Sequence, residues 1–352
     1  MPITKISLNN FRCFKNLELS LSPGINFFFG SNGSGKTSIL ESVFIFSSGK
    51  SFKSSNLTSL INYDNDKFIL KGFDNKKGYI VEIEKSKNKT ISISLNNNKT
   101  NTSKLVKEFP CTPIHNNTFS FANASPDFRR KLVDRSIFIA EDNFSKVWFS
   151  FYRSLRQRNF LLKNNRISDI YNWNTKLADE AEKLTKYRKD FFEKTLNEFY
   201  LLINLLKPED VFDFFNFIKI EFSQGWAPEK SYLDVLNENK DIDIKRRSTT
   251  SGPHKSDIKF FINDIDARQI LSRGEQKFFS IIWSCAQHEV LKKHYEIDAT
   301  LLIDDIKSEL DERVFKLFSD LLNHINTQVI FSCIDAVSYT HLTLPTLGRC
   351  RS

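Results

Sequence analysis

The sequence predicts an α/β protein with a mixed sheet, whose two parts are separated along the chain by a compact inserted helical lobe. Three observations carry that expectation. The apolar run Ile25-Asn26-Phe27-Phe28-Phe29 enters a glycine-rich turn at Gly30, and from Lys36 apolar residues recur at helical spacing. From about residue 126 to 206 the pattern turns helical, with few helix breakers. Strand and helix patterns then alternate again around Thr300-Leu301-Leu302-Ile303, a buried-strand run closed by two aspartates. A β-rich, then helical, then α/β order fits a lobe inserted into a split α/β domain, with parts at 1–115, 116–245 and 246–336.

The elements follow in order. Residues 3–8 and 17–21 alternate polar with apolar as half-buried strands do. Ile39, Leu40, Val43, Phe44 and Phe46 mark the helix after the glycine turn. Strand-like segments lie near 68–72, 79–84 and 90–95, and the Asn-, Thr- and Lys-rich stretch 88–104 reads as exposed hairpin loops. Phe128, Leu132, Ile139, Phe151, Leu155, Leu162, Leu177, Leu184, Phe191 and Phe199 outline the helical lobe. Asp241 to Ser251 is polar and basic, a link back to the first domain. A strand is expected over 257–262, helices over 274–294 and 311–322, and strands over 300–303 and 328–332. Residues 337–352 contain no acid, no Asn and no Phe, and read as a non-native or disordered tail.

Composition narrows the class. The chain has 352 residues, 40% hydrophobic and 26% charged, with a formal net charge of +9 that favours a polyanionic partner. Five widely spaced cysteines, without a Cys-x-x-Cys pair, signal neither a disulfide framework nor a zinc site. The first eleven residues lack the apolar core of a signal peptide, and no apolar run is long enough to span a bilayer. A cytoplasmic protein is expected.

Gly30-Ser31-Asn32-Gly33-Ser34-Gly35-Lys36-Thr37 is a complete G-x-x-x-x-G-K-[ST] motif in the context it requires, a strand before and a helix after. Its glycines let successive backbone N–H groups turn inward on a phosphate, and the helix N-terminus adds partial positive charge. Lys36 is expected to reach the β- and γ-phosphates of ATP, and Thr37 to ligate Mg²⁺. A magnesium-nucleotide site also needs an acid at the end of a neighbouring buried strand. Asp304 is that acid, as a second metal-shell residue. Asp305 is placed either as the general base that polarises the attacking water or as a solvated strand-end acid.

Leu271-Ser272-Arg273-Gly274-Glu275-Gln276 resembles the signature of ABC-type ATPases, a helix's length ahead of the Asp304 strand, and Ser308-Glu309-Leu310-Asp311 resembles the D-loop of that class. The resemblance implies an ABC-type P-loop ATPase head, in which Ser272 and Gly274 face the γ-phosphate held by a second copy. The stretch between Thr37 and Leu271 is longer than ABC transporter domains carry and far shorter than the coiled coils of chromosome-maintenance ATPases.

Within that class the chain resembles the RecF family of bacterial recombination-repair proteins, from residue 1 to about 335. The resemblance rests on Asn10-Phe11-Arg12-Cys13-Phe14, on Ala124-Ser125-Pro126 through Asp134, on Tyr152 to Leu161, and on Gly252-Pro253-His254-Lys255-Ser256-Asp257. It departs at three places: Asn116-Asn117 where Pro-Glu is usual, Ala124 for Gly, and Lys255 for Arg. The resemblance implies that Arg12 joins the nucleotide site. It implies a protein of gap repair and replication-fork maintenance that binds duplex DNA beside single-stranded gaps as an ATP-stabilised homodimer. Slow, DNA-stimulated hydrolysis, partnership with RecO and RecR and help in loading RecA also belong to it. The alternative is a regulatory or scaffold ATPase acting on a protein partner without DNA.

For DNA contact, residues 153–166 carry Arg153, Arg156, Arg158, Lys163 and Arg166 without one acid, a face suited either to phosphate contact or to plain solvation. Arg129 and Arg130 are placed equally for DNA or for intramolecular acids. His254, beside the Gly252-Pro253 turn, is a candidate nucleotide sensor or a turn cap.

Overall fold

The computed structural model describes residues 3–115, 118, 121–207, 212–306, 310–333 and 346–349. Its strands are β1 (Lys5–Phe11), β2 (Phe14–Ser20), β3 (Ile25–Phe29), β4 (Lys67–Asp74), β5 (Tyr79–Ser86), β6 (Ser92–Leu95) and β7 (Asn98–Lys99). β8 (Cys111–Ile114), β9 (Ile218–Ser223), β10 (Asp257–Ile262), β11 (Ile265–Asp266), β12 (Thr300–Asp304), β13 (Val329–Cys333) and β14 (Thr346–Arg349) follow. The helices are α1 (Lys36–Ser48), α2 (Thr102–Glu108), α3 (Pro126–Ala140), α4 (Phe144–Lys163) and α5 (Ile170–Leu206). Then come α6 (Tyr232–Glu238), α7 (Lys240–Arg246), α8 (Ala267–Ile270), α9 (Arg273–Tyr295) and α10 (Glu312–His324).

A parallel five-stranded sheet, ordered β14-β3-β13-β12-β8, forms the platform. Parallel strands bury both faces, so their sequences read as continuous apolar runs. Alternation divides those runs between two cores. Phe28, Leu302 and Ile330 pack with α1 and with the antiparallel sheet β2-β1-β4-β5-β6-β7. Phe27, Ile303 and Phe331 point the other way, into a core shared by α3, α4, α5, α9 and α10. α1 is therefore buried almost all round, with Ile39, Leu40, Val43, Ile45 and Phe46 each at most 1% exposed.

α4 and α5 pack along one another as the helical lobe, and α5, with 37 residues, is about 55 Å long. Ser272 caps α9 in a reciprocal box with Glu275, an arrangement worth about 0.5–2 kcal/mol.

Two expectations need correction. The strand expected near 90–95 is β6, but the rest of 88–104 is not only loop: it holds β7, and α2 begins at Thr102. Asp241 to Ser251 is not a bare link, because α7 occupies its first half and buries Asp243. The strand expected over 257–262 is β10, which pairs with β9 in a sheet of its own, β11-β10-β9. Of the expected tail 337–352, residues 346–349 run parallel to β3 and the remainder lies outside the described residues. Asn116, Asn117, Ser308 and Glu309 also lie outside them.

Candidate nucleotide site

The loop of residues 30–37 joins β3 to α1. Gly33 and Gly35 have φ of 84° and 91°, a region that only glycine enters without cost. A Cβ on Gly35 would lie 2.4 Å from Phe14 Cζ and 2.8 Å from Cys13 Sγ, so the β1–β2 turn packs directly on the loop. α1 opens with no side-chain cap at Gly35 and no acid in its first turn. Its positive end is thus left for an anion. Lys36, 7% exposed, folds across the loop and donates to the carbonyl oxygens of Gly30 (2.7 Å) and Ser31 (2.8 Å). The buried Ser34 Oγ has no hydrogen-bond partner, an orphan that a phosphate oxygen would satisfy.

Parallel pairing of β12 with β13 sets Asp304 opposite Ser332, and both at the end of α1. Thr37 Oγ1 donates to Asp304 Oδ1 at 2.9 Å, and Ser332 Oγ donates to the same oxygen at 2.7 Å. A hydroxyl and a carboxylate oxygen are the hard donors that Mg²⁺ takes, with phosphate and water completing its shell. No group of three His, Cys, Asp or Glu able to hold a metal occurs among the described residues. Asp305 has φ 46° and donates its N–H to the Ser332 hydroxyl at 3.0 Å. Ser332 therefore orients both acids, a role the strand pattern did not announce.

An open cavity of about 340 Å³ lies over the loop, in the size range of small-molecule sites. Of the expected residues, Arg12, Asn32, Gly33, Gly35, Lys36, Thr37 and Asp305 line it. Lys53 and Ser332 line it too, without having been singled out. Arg12 reaches its place through a left-handed φ of 54°. Its Nε and Nη2 donate to both oxygens of Glu41, at 2.9 and 3.0 Å. Glu41 sits fully buried on α1 and also accepts from the Ser51 hydroxyl, which in turn accepts the N–H groups of Lys53 and Ser54. One buried carboxylate thus braces two cationic segments at the cavity.

His115, stacked on Phe52 with ring centroids 4.8 Å apart, stands nearby. Burial pushes its pKa down to about 4, with the Asp304 carboxylate opposing and Arg135 and Lys53 reinforcing. It is neutral at neutral pH.

Ser272 and Gly274 do not line this cavity. They are exposed at the start of α9, and a Cβ on Gly274 would meet nothing within 4 Å. His254 is likewise remote. Its Nε2 lies 3.0 Å from the Thr249 carbonyl oxygen, and burial pushes its pKa down to about 4, which fits the turn-cap reading.

Among the cations expected to meet DNA, Arg153, Arg156 and Arg166 are exposed, Arg166 pairing with Asp169 at 2.7 Å. Arg158 must be corrected. It is 0% exposed and bonds Asp243 (2.7 Å), Thr249 (2.7 Å) and Asn174 (2.9 Å), so it ties α4 to α5 and α7 and meets no solvent. Arg129 grips both oxygens of Asp257 at 2.8 Å, and Arg130 donates to the Ser256 carbonyl oxygen at 2.7 Å. Arg188, 1% exposed, grips Asp134 at 2.8 Å and reaches Pro253 and Ser256. Arg129, Arg130 and Arg188 thus converge on residues 253–257, while Arg158 forms a separate buried pair with Asp243.

The family described as "RecF/RecN/SMC N terminal domain" matches residues 2–343. A DNA replication and repair protein RecF of Actinobacillus succinogenes is 33% identical over 341 residues, covering 96% of the chain and 94% of that protein. The RecF of Nitrosococcus oceani is 30% identical over 342 residues, with 96% and 93% covered. A solved structure described as the recombination mediator protein RecF-ATP in the RecFOR pathway superposes with a TM-score of 0.80 at 23% identity, covering 95% of the chain and 92% of its own. An Smc head bound to the C-winged helix domain of ScpA superposes with a TM-score of 0.59 at 16% identity, covering 97% and 91%.

Proposed function

We propose a function from a fixed premise: the chain belongs to the RecF/RecN/SMC N-terminal domain family, and its similarity to RecF proteins runs over nearly its whole length. Its role is a RecF-type one, ATP binding in the service of DNA replication and repair. The single observation that supports it best is the meeting of Thr37 and Asp304, 267 positions apart in sequence, at 2.9 Å beside an orphan Ser34 hydroxyl.

Within that role the phosphates lie on Gly30 to Thr37. Lys36 swings from the loop carbonyls to the β- and γ-phosphates, and Arg12 holds the outer part of the nucleotide. Thr37 and Asp304 would hold Mg²⁺, which would neutralise phosphate charge. Asp305 orients the attacking water and takes its proton in a slow hydrolysis that DNA stimulates. Ser272 and Gly274 complete the site of a second copy, so that ATP joins two chains and hydrolysis releases them. The ATP-bound pair holds duplex DNA next to a single-stranded gap, and works with RecO and RecR toward RecA loading. The chain divides into a head, 1–115 and 246–336, and a lobe, 116–245, with the β9–β10 pairing as the join.

Filter binding of gapped duplex, with and without ATP, tests this reading. ATP-dependent retention is expected. ATP binding and turnover with no retention of any DNA would favour a regulatory ATPase that acts on a protein.

A further inference from the structure

The solvent face of α4 carries an ordered arrangement beyond a basic surface. Phe149, Arg153, Arg156, Phe160 and Lys163 follow one another at intervals of four, three, four and three residues, which sets them in one stripe along the helix. All five are exposed, Phe149 at 56% and Phe160 at 55%. The stripe is about 21 Å long at the rise of an α-helix. No acid interrupts it, and neither arginine nor Lys163 makes an ion pair among the described residues. The opposite face of α4 is buried through Phe151, Leu155, Arg158 and Leu162, so the stripe is turned outward by the core itself.

We propose that this stripe is a docking surface for single-stranded DNA, with Phe149 and Phe160 as stacking platforms and Arg153, Arg156 and Lys163 along the backbone. The reasoning is chemical. Cations alone suit any phosphate backbone, but two half-exposed phenylalanines among them have no partner on a duplex, whose base faces are already stacked. Unpaired bases offer π-faces, and aromatic rings interleaved with cations are the recurrent way of holding them without reading sequence. The charge of the stripe also selects against a basic protein partner. This inference rests on the DNA-binding reading above and narrows it: the lobe takes the unpaired strand of the gap.

Phe149→Ala with Phe160→Ala, and separately Arg153→Gln with Arg156→Gln, are compared with the unsubstituted full chain. The probes are a labelled oligodeoxythymidine of about 16 nucleotides and a blunt duplex. The phenylalanine pair should weaken single-strand binding about tenfold or more and leave duplex binding within about twofold. The arginine pair should also weaken single-strand binding and flatten its salt slope by about 0.7 per lost contact. ATP affinity and the urea midpoint should stay unchanged in the arginine pair. Phenylalanine variants that bind the single strand normally, while the unsubstituted chain binds DNA, overturn the stripe and leave the wider DNA reading standing. An unsubstituted chain that, with ATP present, binds neither probe nor a gapped duplex removes that wider reading itself. Self-association that depends on Phe160 with DNA binding intact would instead make the stripe a contact between copies.

Discussion

Arg12 and Glu41 form a two-point ion pair, 2.9 and 3.0 Å, that joins the β1–β2 turn to the helix carrying the phosphate loop. Glu41 is fully buried while Arg12 remains partly open to the cavity, so the carboxylate fixes and the guanidinium presents. Glu41→Gln should weaken ATP binding by about 1.5–3 kcal/mol, the worth of a charged hydrogen bond. The same change in an Arg12→Ala background should add little, because both act through one contact. Calorimetric titration of the four proteins with ATP checks it, and fully additive losses would show that Glu41 does not act through Arg12.

The proposed function gives Asp305 a part in turnover and none in holding the nucleotide. Asp305→Asn keeps the shape and removes the base, so hydrolysis should drop about 10²–10⁴-fold while ATP affinity changes little. Steady-state phosphate release beside an equilibrium binding measurement separates the two. Normal turnover in the variant moves the base elsewhere.

Arg158 is a structural residue. Arg158→Gln leaves Asp243 buried without its charge partner, which should lower stability by about 3–5 kcal/mol. The salt dependence of DNA binding by the folded variant should match the unsubstituted chain. Urea unfolding and a salt titration read the two effects, and a flattened salt slope with unchanged stability would contradict the burial argument.

Burial holds His115 and His254 at a pKa of about 4 and His288 at about 3. Unfolded histidines titrate near 6.5, so below that pH the unfolded chain binds protons that the folded chain refuses. The stability they permit is complete above about pH 6.5 and is lost as pH falls toward about 4. The urea midpoint should therefore be lower at about pH 5 than at about pH 7.5, and His254→Asn should narrow the difference. Equal midpoints at the two pH values would mean that these rings are solvated.

How much of this was legible in the sequence depended on whether the signal was local. The phosphate loop and the Asp304 strand announce themselves because each needs a fixed run of residue types between a strand and a helix. The fate of β10 was not legible: an alternating strand does not name its neighbour, and its partner β9 lies 34 positions earlier in the register Asp257↔Ser223. Arg158 carried a warning in its spacing. It stands on the apolar row of Phe151, Leu155 and Leu162, so the helix period points it inward whatever its charge. Ser332 and Glu41 gave no warning, because their roles come from parallel register and from a packed turn.

The central claim is that ATP on the loop of residues 30–37 joins two chains through the α9 signature. Sedimentation with and without a non-hydrolysable ATP analogue tests it on the unsubstituted chain, Lys36→Ala and Ser272→Arg. The unsubstituted chain should dimerise only with the analogue. Lys36→Ala should lose binding and dimer together. Ser272→Arg should keep the analogue yet stay monomeric, since its own loop is untouched and only the surface offered to a second copy has changed. A Ser272→Arg protein that dimerises normally with the analogue would contradict the account.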